Sequence, residues 1–379
     1  MQIGDLELKQ LLRISPSRYT AILSCLLREV WISSGNDILL PPSPVAELGS
    51  IVHQLLEVAG RGQLAEATKE QVDETWTRLI NEAEDRMLQS QVRGLLVPLS
   101  KSIPDFEVRR LRACKRAMEI THESKSAPRP SPEDPLGRTG FELWVETDDG
   151  AVGGYIDRAK KTDAGIVLLD YKSGAVLERD TSGARGVKGA YNDQMELYAA
   201  LYHHKFGEWP VDLEIVPLQG GVVRLEWEPA SAERLLGSAL RLLRDVNVKI
   251  TEAQSGKIEA TSLASPNAEN CRICLFRPGC QAYWTVREND LIQNWPHDIR
   301  GILREKIALH NGMLCLRIST NLSSTDEVIG IRNISKSPQR HPLLLGLQEG
   351  SHLAVYRLRY LRPSNDYTET QSTVIYQTD

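Results

Sequence analysis

The segment that most restricts the fold is Gly153 to Gly174, GGYIDRAKKTDAGIVLLDYKSG. Val152 to Lys160 and Ile166 to Lys172 are short runs rich in branched residues, separated by the turn signal Thr162-Asp163-Ala164-Gly165. Phe141 to Glu146 precedes them across a second turn, Asp148-Asp149-Gly150. Three such runs predict an antiparallel meander. Asp157 ends one strand, and Asp170 and Lys172 lie two apart at the end of the next, so alternation puts the last two on one face. Hairpin pairing then lets Asp157 approach Asp170. Two carboxylates so placed repel unless a cation joins them, and hard oxygen ligands favour Mg²⁺ or Mn²⁺. Such a metal polarises a phosphate and acidifies a bound water, while a lysine orients that water or offsets developing charge. That combination is phosphodiester hydrolysis. Asp-x-Lys alone is also common on ordinary surface hairpins, so the assignment needs company.

The surrounding pattern is mixed. Residues 1–122 read mostly as helix, with apolar spacing of three and four over Pro44 to Val58 and Lys69 to Leu88. Glu123 to Gly140 contains Pro128, Pro130, Pro132 and Pro135 and reads as a loop. After the meander come a helix at Tyr191 to Phe206, strands at Leu213 to Pro217 and Val222 to Trp227, and a helix from Ala230 to about Ala253. The expected fold class is α/β: a mixed sheet with helical arms before and after it. From Arg300 the pattern changes to short runs at Met313 to Thr320, Glu327 to Ser335, His352 to Leu361 and Thr373 to Gln377, which predict a small closed OB-like β-barrel. Two domains are expected, 1–299 and 300–379.

Six cysteines matter because of where they fall. Cys271, Cys274 and Cys280 form C-x2-C-x5-C, and three clustered thiolates need a fourth ligand. A four-thiolate site suits structural Zn²⁺ as well as an iron-sulfur cluster. Cys114 and Cys315 read as small buried apolar residues. Asp5, Glu7, Lys9, Arg13, Arg18, Arg28 and Glu29 spoil a signal peptide, and no run is long and apolar enough for a membrane span, so the expected place is the cytoplasm. There is no glycine-rich phosphate loop ending in Lys-Ser or Lys-Thr, which argues against a self-contained ATP-driven motor.

Four segments in order, SPSRYTAILSC at Ser15 to Cys25, LGSIVHQLLE at Leu48 to Glu57, GYIDR with LLDYKSG, and YNDQMELYAALY at Tyr191 to Tyr202, carry a resemblance. Together with the cysteines they span residues 15 to 280. The chain resembles the RecB-like branch of the PD-(D/E)XK nucleases, which includes the AddB-type nuclease domains and the CRISPR-associated exonucleases with an iron-sulfur cluster. The resemblance implies a restriction-endonuclease-like core in which Asp157, Asp170 and His53 bind the catalytic metal. It makes Lys172 the catalytic lysine, Gln194 and Tyr198 supports of the site, and Cys25 the fourth ligand of a 4Fe-4S cluster with Cys271, Cys274 and Cys280. Glu142 occupies a place where some relatives have an acidic residue. Read on the residues alone, His53 is also an ordinary core histidine, and Gln194 and Tyr198 are merely one helical turn apart.

The expected activity is a Mg²⁺- or Mn²⁺-dependent deoxyribonuclease acting on single strands or DNA ends, in repair, recombination or phage defence. The other class is an inactive nuclease-like scaffold that binds DNA or a helicase partner. With 45 Lys plus Arg against 50 Asp plus Glu, any DNA-binding surface must be local. Arg109, Arg110, Arg112, Lys115 and Arg116 offer one patch. The tail offers another, with Tyr356, Tyr360, Tyr367 and Tyr376 available to stack single-stranded bases in the barrel, or else it docks a helicase or other defence-complex partner.

Overall fold

The computed structural model describes residues 4–64, 68–126, 137–179, 185–290, 294–320, 327–362, 364 and 366–378. Residues 4–13 are extended, not helical as the sequence suggested, because amides of a distant helix hold them: Leu11 N–H donates to Asn247 Oδ1 and Asn247 Nδ2 donates back to Leu11 O. Helices then follow as expected: α1 (Tyr19–Ser24), α2 (Leu26–Ser33), α3 (Pro44–Gly60), α4 (Lys69–Leu88), α5 (Leu99–Ser102) and α6 (Phe106–Ser126). Helix α3 starts with Pro44 in its first turn and buries Leu48, Ile51, Val52, Leu55, Leu56 and Ala59, a stripe at helical spacing. Helix α6 continues into the first four residues of the expected loop, and residues 127–136 of that loop lie outside the described residues.

The meander forms as read: β1 (Gly140–Glu146), β2 (Gly153–Thr162) and β3 (Gly165–Lys172), with both neighbouring pairs antiparallel. A small hairpin, β4 (Leu177–Arg179) with β5 (Arg185–Val187), leads to α7 (Gly189–Phe206). Strand β6 (Asp212–Pro217) then pairs parallel to β3, and β7 (Val223–Arg224) closes the sheet in the order β1-β2-β3-β6-β7. The strand expected over Val222 to Trp227 keeps only two residues of ladder. It has one neighbour, and Trp227 turns away to pack on Trp209, ring centroids 5.9 Å apart. Helix α8 (Pro229–Gln254) packs beside α7.

Alternation along β3 builds a core on each face. Ile166 and Leu168 join α7 and α8, whereas Val167, Leu169 and Tyr171 join α3, α4 and α6. The sheet is therefore covered on both sides, and its carboxylates can only be reached from one end. Helices α9 (Ala268–Ile273) and α10 (Gln281–Asn289) return the chain to α2. Among the described residues no helix is long and apolar enough to cross a membrane.

The tail corrects two expectations. Its strands β8 (Ile299–Ala308), β9 (Leu314–Thr320), β10 (Glu327–Ile334), β11 (His352–Tyr356), β12 (Arg359–Leu361), β13 (Asp366–Thr368) and β14 (Val374–Gln377) form a seven-stranded sheet in the order β12-β13-β10-β9-β8-β11-β14. Among the described residues no ladder joins β12 to β14, so the order is that of a sheet with two edges where a closed barrel was expected. One face also packs on the rest of the molecule: Ala354, Tyr356, Val374 and Tyr376 belong to the same core as α1, α2, α7 and α8. Trp284 Nε1 donates to Tyr356 Oη at 3.2 Å, and Tyr376 Oη to Leu39 O at 2.6 Å. Tyr356 and Tyr376 are thus structural and unavailable for stacking bases; only Tyr360 and Tyr367 keep part of their surface in solvent.

Candidate active site

The β2–β3 ladder runs from Thr162 and Gly165 down to Arg158 and Leu169 and stops there. One residue further along, where Asp157 and Asp170 would face each other, the strands part. Asp157 Oδ2 takes the Tyr171 N–H at 2.7 Å in place of a backbone carbonyl. On its other side Asp157 would face Glu142 of β1, and that pair also drops out of the ladder because Glu142 has a left-handed backbone, φ 48°. A non-glycine residue held there in mid-strand is strained, and such strain persists at sites the surrounding fold over-determines. Glu142, Asp157 and Asp170 therefore form a row of three carboxylates across three strands. The sequence placed two of them together; the third depended on a backbone kink that no local residue pattern announces.

Electrostatics follow from that crowding. Burial, and then the charge of Asp170, raise the Asp157 carboxyl well above the ordinary range. Glu142 is raised by burial and by Glu57, against the opposing charge of Arg61. Asp170 is 3% exposed, and its Oδ2 lies 2.7 Å from Lys172 Nζ in an ion-pair contact whose geometry falls short of a hydrogen bond. Gln194 ties the pair together: its Nε2 donates to Asp170 Oδ1 at 2.9 Å, and its Oε1 accepts from Lys172 Nζ at 3.2 Å. The ammonium also sits 4.9 Å above the Tyr191 ring. His53, from α3, places Nδ1 3.5 Å from Asp157 Oδ2, and burial lowers its pKa, which favours the neutral ring. Tyr198 is buried, its phenol pushed up by burial, and its hydroxyl closes over Gly154, where a Cβ would come within 3.3 Å.

All seven residues, His53, Glu142, Asp157, Asp170, Lys172, Gln194 and Tyr198, line one cleft of about 440 Å³. Sequence reading missed the rest of its wall. Arg13, Ser15 and Ser17 enter from the extended N-terminus, and Trp144 with Tyr155 form an edge-to-face pair at the rim, 4.7 Å between centroids. The Arg13 guanidinium covers the Trp144 ring at 5.0 Å. Trp144 and Tyr155 are register partners on β1 and β2, legible only once that hairpin's register is known.

The four cysteines expected to act together line a single cavity with Arg28, Trp31, Arg277 and Tyr283. None is in a disulfide. Burial pushes Cys271 and Cys280 up to about 12, and Cys274 is raised as well, against the nearby charges of Arg277 and Arg28. Among the described residues no three His, Cys, Asp or Glu side chains converge as a ready-made ion site, at the cysteines or in the cleft. Arg277 is 2% exposed and donates to the carbonyls of Cys271, Arg272 and Cys274 and to Asp298. Cys114 and Cys315 are buried, as expected.

The basic helix patch is mostly spoken for. Arg109 pairs with Asp105, Arg110 with Glu107 and Asp73, and Lys115 and Arg116 with Glu119. Only Arg112 remains outside these pairs. Helical spacing supplied each of these neighbours with an acid three or four residues away.

A family model described as the PD-(D/E)XK nuclease superfamily matches residues 13–281, and the chain belongs to that superfamily. Its members are generally nucleases and typically use Mg²⁺ or Mn²⁺. No curated protein matches the chain.

Proposed function

We propose that this chain is a Mg²⁺- or Mn²⁺-dependent deoxyribonuclease that cleaves single-stranded DNA or DNA ends, with Asp157, Asp170 and His53 as metal ligands. The observation that carries the reading is the row of one buried and two half-buried carboxylates with Lys172 beside it. Like charges held that close are stable as anions only with cations among them, and the one ammonium present, Lys172 at 2.7 Å from Asp170 Oδ2, sets a single positive charge against three carboxylates. When bound, the divalent ion would polarise the scissile phosphate and acidify a water. The chain's own groups do the remainder. Gln194 fixes the Asp170 carboxylate through Oδ1, leaving Oδ2 to the Lys172 ammonium, and it holds Lys172 where charge develops on the phosphate. Tyr198, packed behind the cleft, fixes Gly154 and so the mouth of β2. Glu142 belongs to the ligand row or holds a water beside it.

Cys25, Cys271, Cys274 and Cys280 are proposed to hold a 4Fe-4S cluster. The donor set fits: four thiols share a cavity with two guanidinium groups that offset the charge of four thiolates. Structural Zn²⁺ is the rival occupant. Digestion of end-labelled single- and double-stranded DNA, with Mg²⁺, with Mn²⁺ and with chelator, tests the activity. Cleavage that needs the metal and prefers single strands is expected; no cleavage of either substrate with either metal would refute it.

A further inference from the structure

A second groove of about 980 Å³ adjoins the catalytic cleft. Its nearest wall is Ser173 and Gly174, the residues that directly follow Lys172, and Ser173 also lines the hollow shared by His53 and Glu142. Three cations line it, Arg109, Arg112 and Arg185, against one carboxylate, Glu178. Arg109 is tied to Asp105. Arg112 on α6, whose charge reaches Asp105 without contact, and Arg185 on β5 make no close ion pair among the described residues, whereas Arg109, Arg110 and Arg116 of α6 do. Gly174, Gly220 and Gly221 leave part of the wall as bare backbone, with nothing within 4 Å of where a Cβ would stand. In the wall of the cleft itself, and absent from the lining of the second groove, stands Tyr155, 54% exposed, next to Trp144.

We infer that one nucleic-acid strand lies along this continuous path, its phosphates held by Arg112 and Arg185 on one side of the carboxylates and a base reaching Tyr155 on the other. This rests on the nuclease reading above and extends it to residues outside the catalytic set. Two guanidinium groups without a close ion pair, with one acid in the groove, suit a chain of singly charged phosphodiesters, and an exposed aromatic backed by a second ring suits an unpaired base. A duplex, whose bases are covered, has no use for the tyrosine.

The test uses the full chain and the Arg112→Ala/Arg185→Ala double variant, with a labelled oligothymidylate of about twenty nucleotides, in chelator, over a range of salt. Each phosphate contact on a single strand contributes about 0.7 to the slope of log affinity against log salt, so the variant's slope should be shallower by about 1.4. Both proteins should melt at the same temperature, because neither arginine is buried. In parallel, metal-dependent hydrolysis of a chromogenic phosphodiester with a single phosphate should be equal for the two. An unchanged slope with hydrolysis intact overturns the groove and leaves the nuclease. An equal loss of hydrolysis and binding overturns it too, because the arginines would then be acting through the catalytic cleft. Failure of the unaltered chain to hydrolyse anything counts against the nuclease reading, while the salt slope still decides the groove.

Discussion

Among the described residues Asp298 is the only carboxylate partner of the buried Arg277, and replacing it should unlock the joint between the nuclease core and the tail. Its oxygens accept from Arg277 Nε at 2.8 Å and Nη2 at 3.4 Å, from Tyr283 Oη at 2.8 Å and from Arg357 N–H at 2.9 Å. Neither side chain sees solvent, at 2% and 0% exposure. Removing one member of such a pair costs about 3–5 kcal/mol, because the other charge stays buried without a partner. Asp298→Ala also strands the Tyr283 hydroxyl and the Arg357 amide, each worth about 1–3 kcal/mol, although such losses overlap and do not simply add. We expect at least about 4 kcal/mol in all. Urea unfolding followed by tryptophan fluorescence reads it well, since Trp284 and Trp295 both lie against Tyr283. The pH dependence supplies a second check. Burial opposes ionisation of Asp298, but the Arg277 charge and the hydrogen bonds outweigh it and hold the carboxyl below the usual range. A depressed carboxyl stabilises the fold above its unfolded pKa of about 4 and loses that contribution as pH falls through the lower folded value. The wild-type protein should therefore shed stability on the acid side of pH 4, and Asp298→Ala should lack that component. A loss below about 1 kcal/mol at neutral pH would refute the account of a buried, fully used pair.

Other expectations concern the two candidate centres and the tail. Asp170→Ala and Lys172→Ala should each abolish cleavage yet leave DNA binding and melting temperature close to wild type, since both groups act mainly on the transition state; normal digestion by either would remove it from the site. Protein purified without oxygen should be brown, with a broad band near ~410 nm and about four irons per chain, and Cys25→Ser should lose colour and solubility together. Stoichiometric zinc in a colourless protein would hand the site to the rival metal. Deleting residues 299–379 should expose the apolar counterparts of Tyr356 and Tyr376 and lower the melting temperature of what remains; a truncated chain as stable as the full one would mean that the shared face contributes nothing.

What the sequence disclosed was whatever repeats at a fixed period. Helices α3, α4 and α8 carry long apolar stripes, α7 is buried on nearly every side from Gln194 to Tyr202, and the β1-β2-β3 meander alternates between marked turns, so the elements were legible. Asp157, Asp170 and Lys172 could be placed together because strand alternation fixes faces. Glu142 was harder, since its φ of 48° is imposed by neighbours and not by glycine. Strand β8 was missed because its alternation breaks at a bulge between Leu303 and Glu305. The tail misled most. Its tyrosines look alike in sequence, but two face the core of another part of the chain, and only long-range packing decides which. The ion pairs of the basic patch were legible but unweighed, since the acids that pair with Arg109, Arg110, Lys115 and Arg116 stand three or four residues away along the same helix.

The cysteine cavity has a consequence for how the molecule is made. One wall is contributed by Cys25, near the beginning of the chain, and the others by Cys271, Cys274 and Cys280, beyond the whole nuclease sheet. A ribosome adding about 5–20 residues per second needs on the order of ten to fifty seconds to pass from the first of these to the last. Throughout that interval Cys25 is a thiol at the break between two short helices, and its partner cysteines do not yet exist. The cavity can close only around a chain whose catalytic sheet is already synthesised, so occupancy of the cysteines would certify a completed domain, and a prematurely terminated chain could never pass the same inspection.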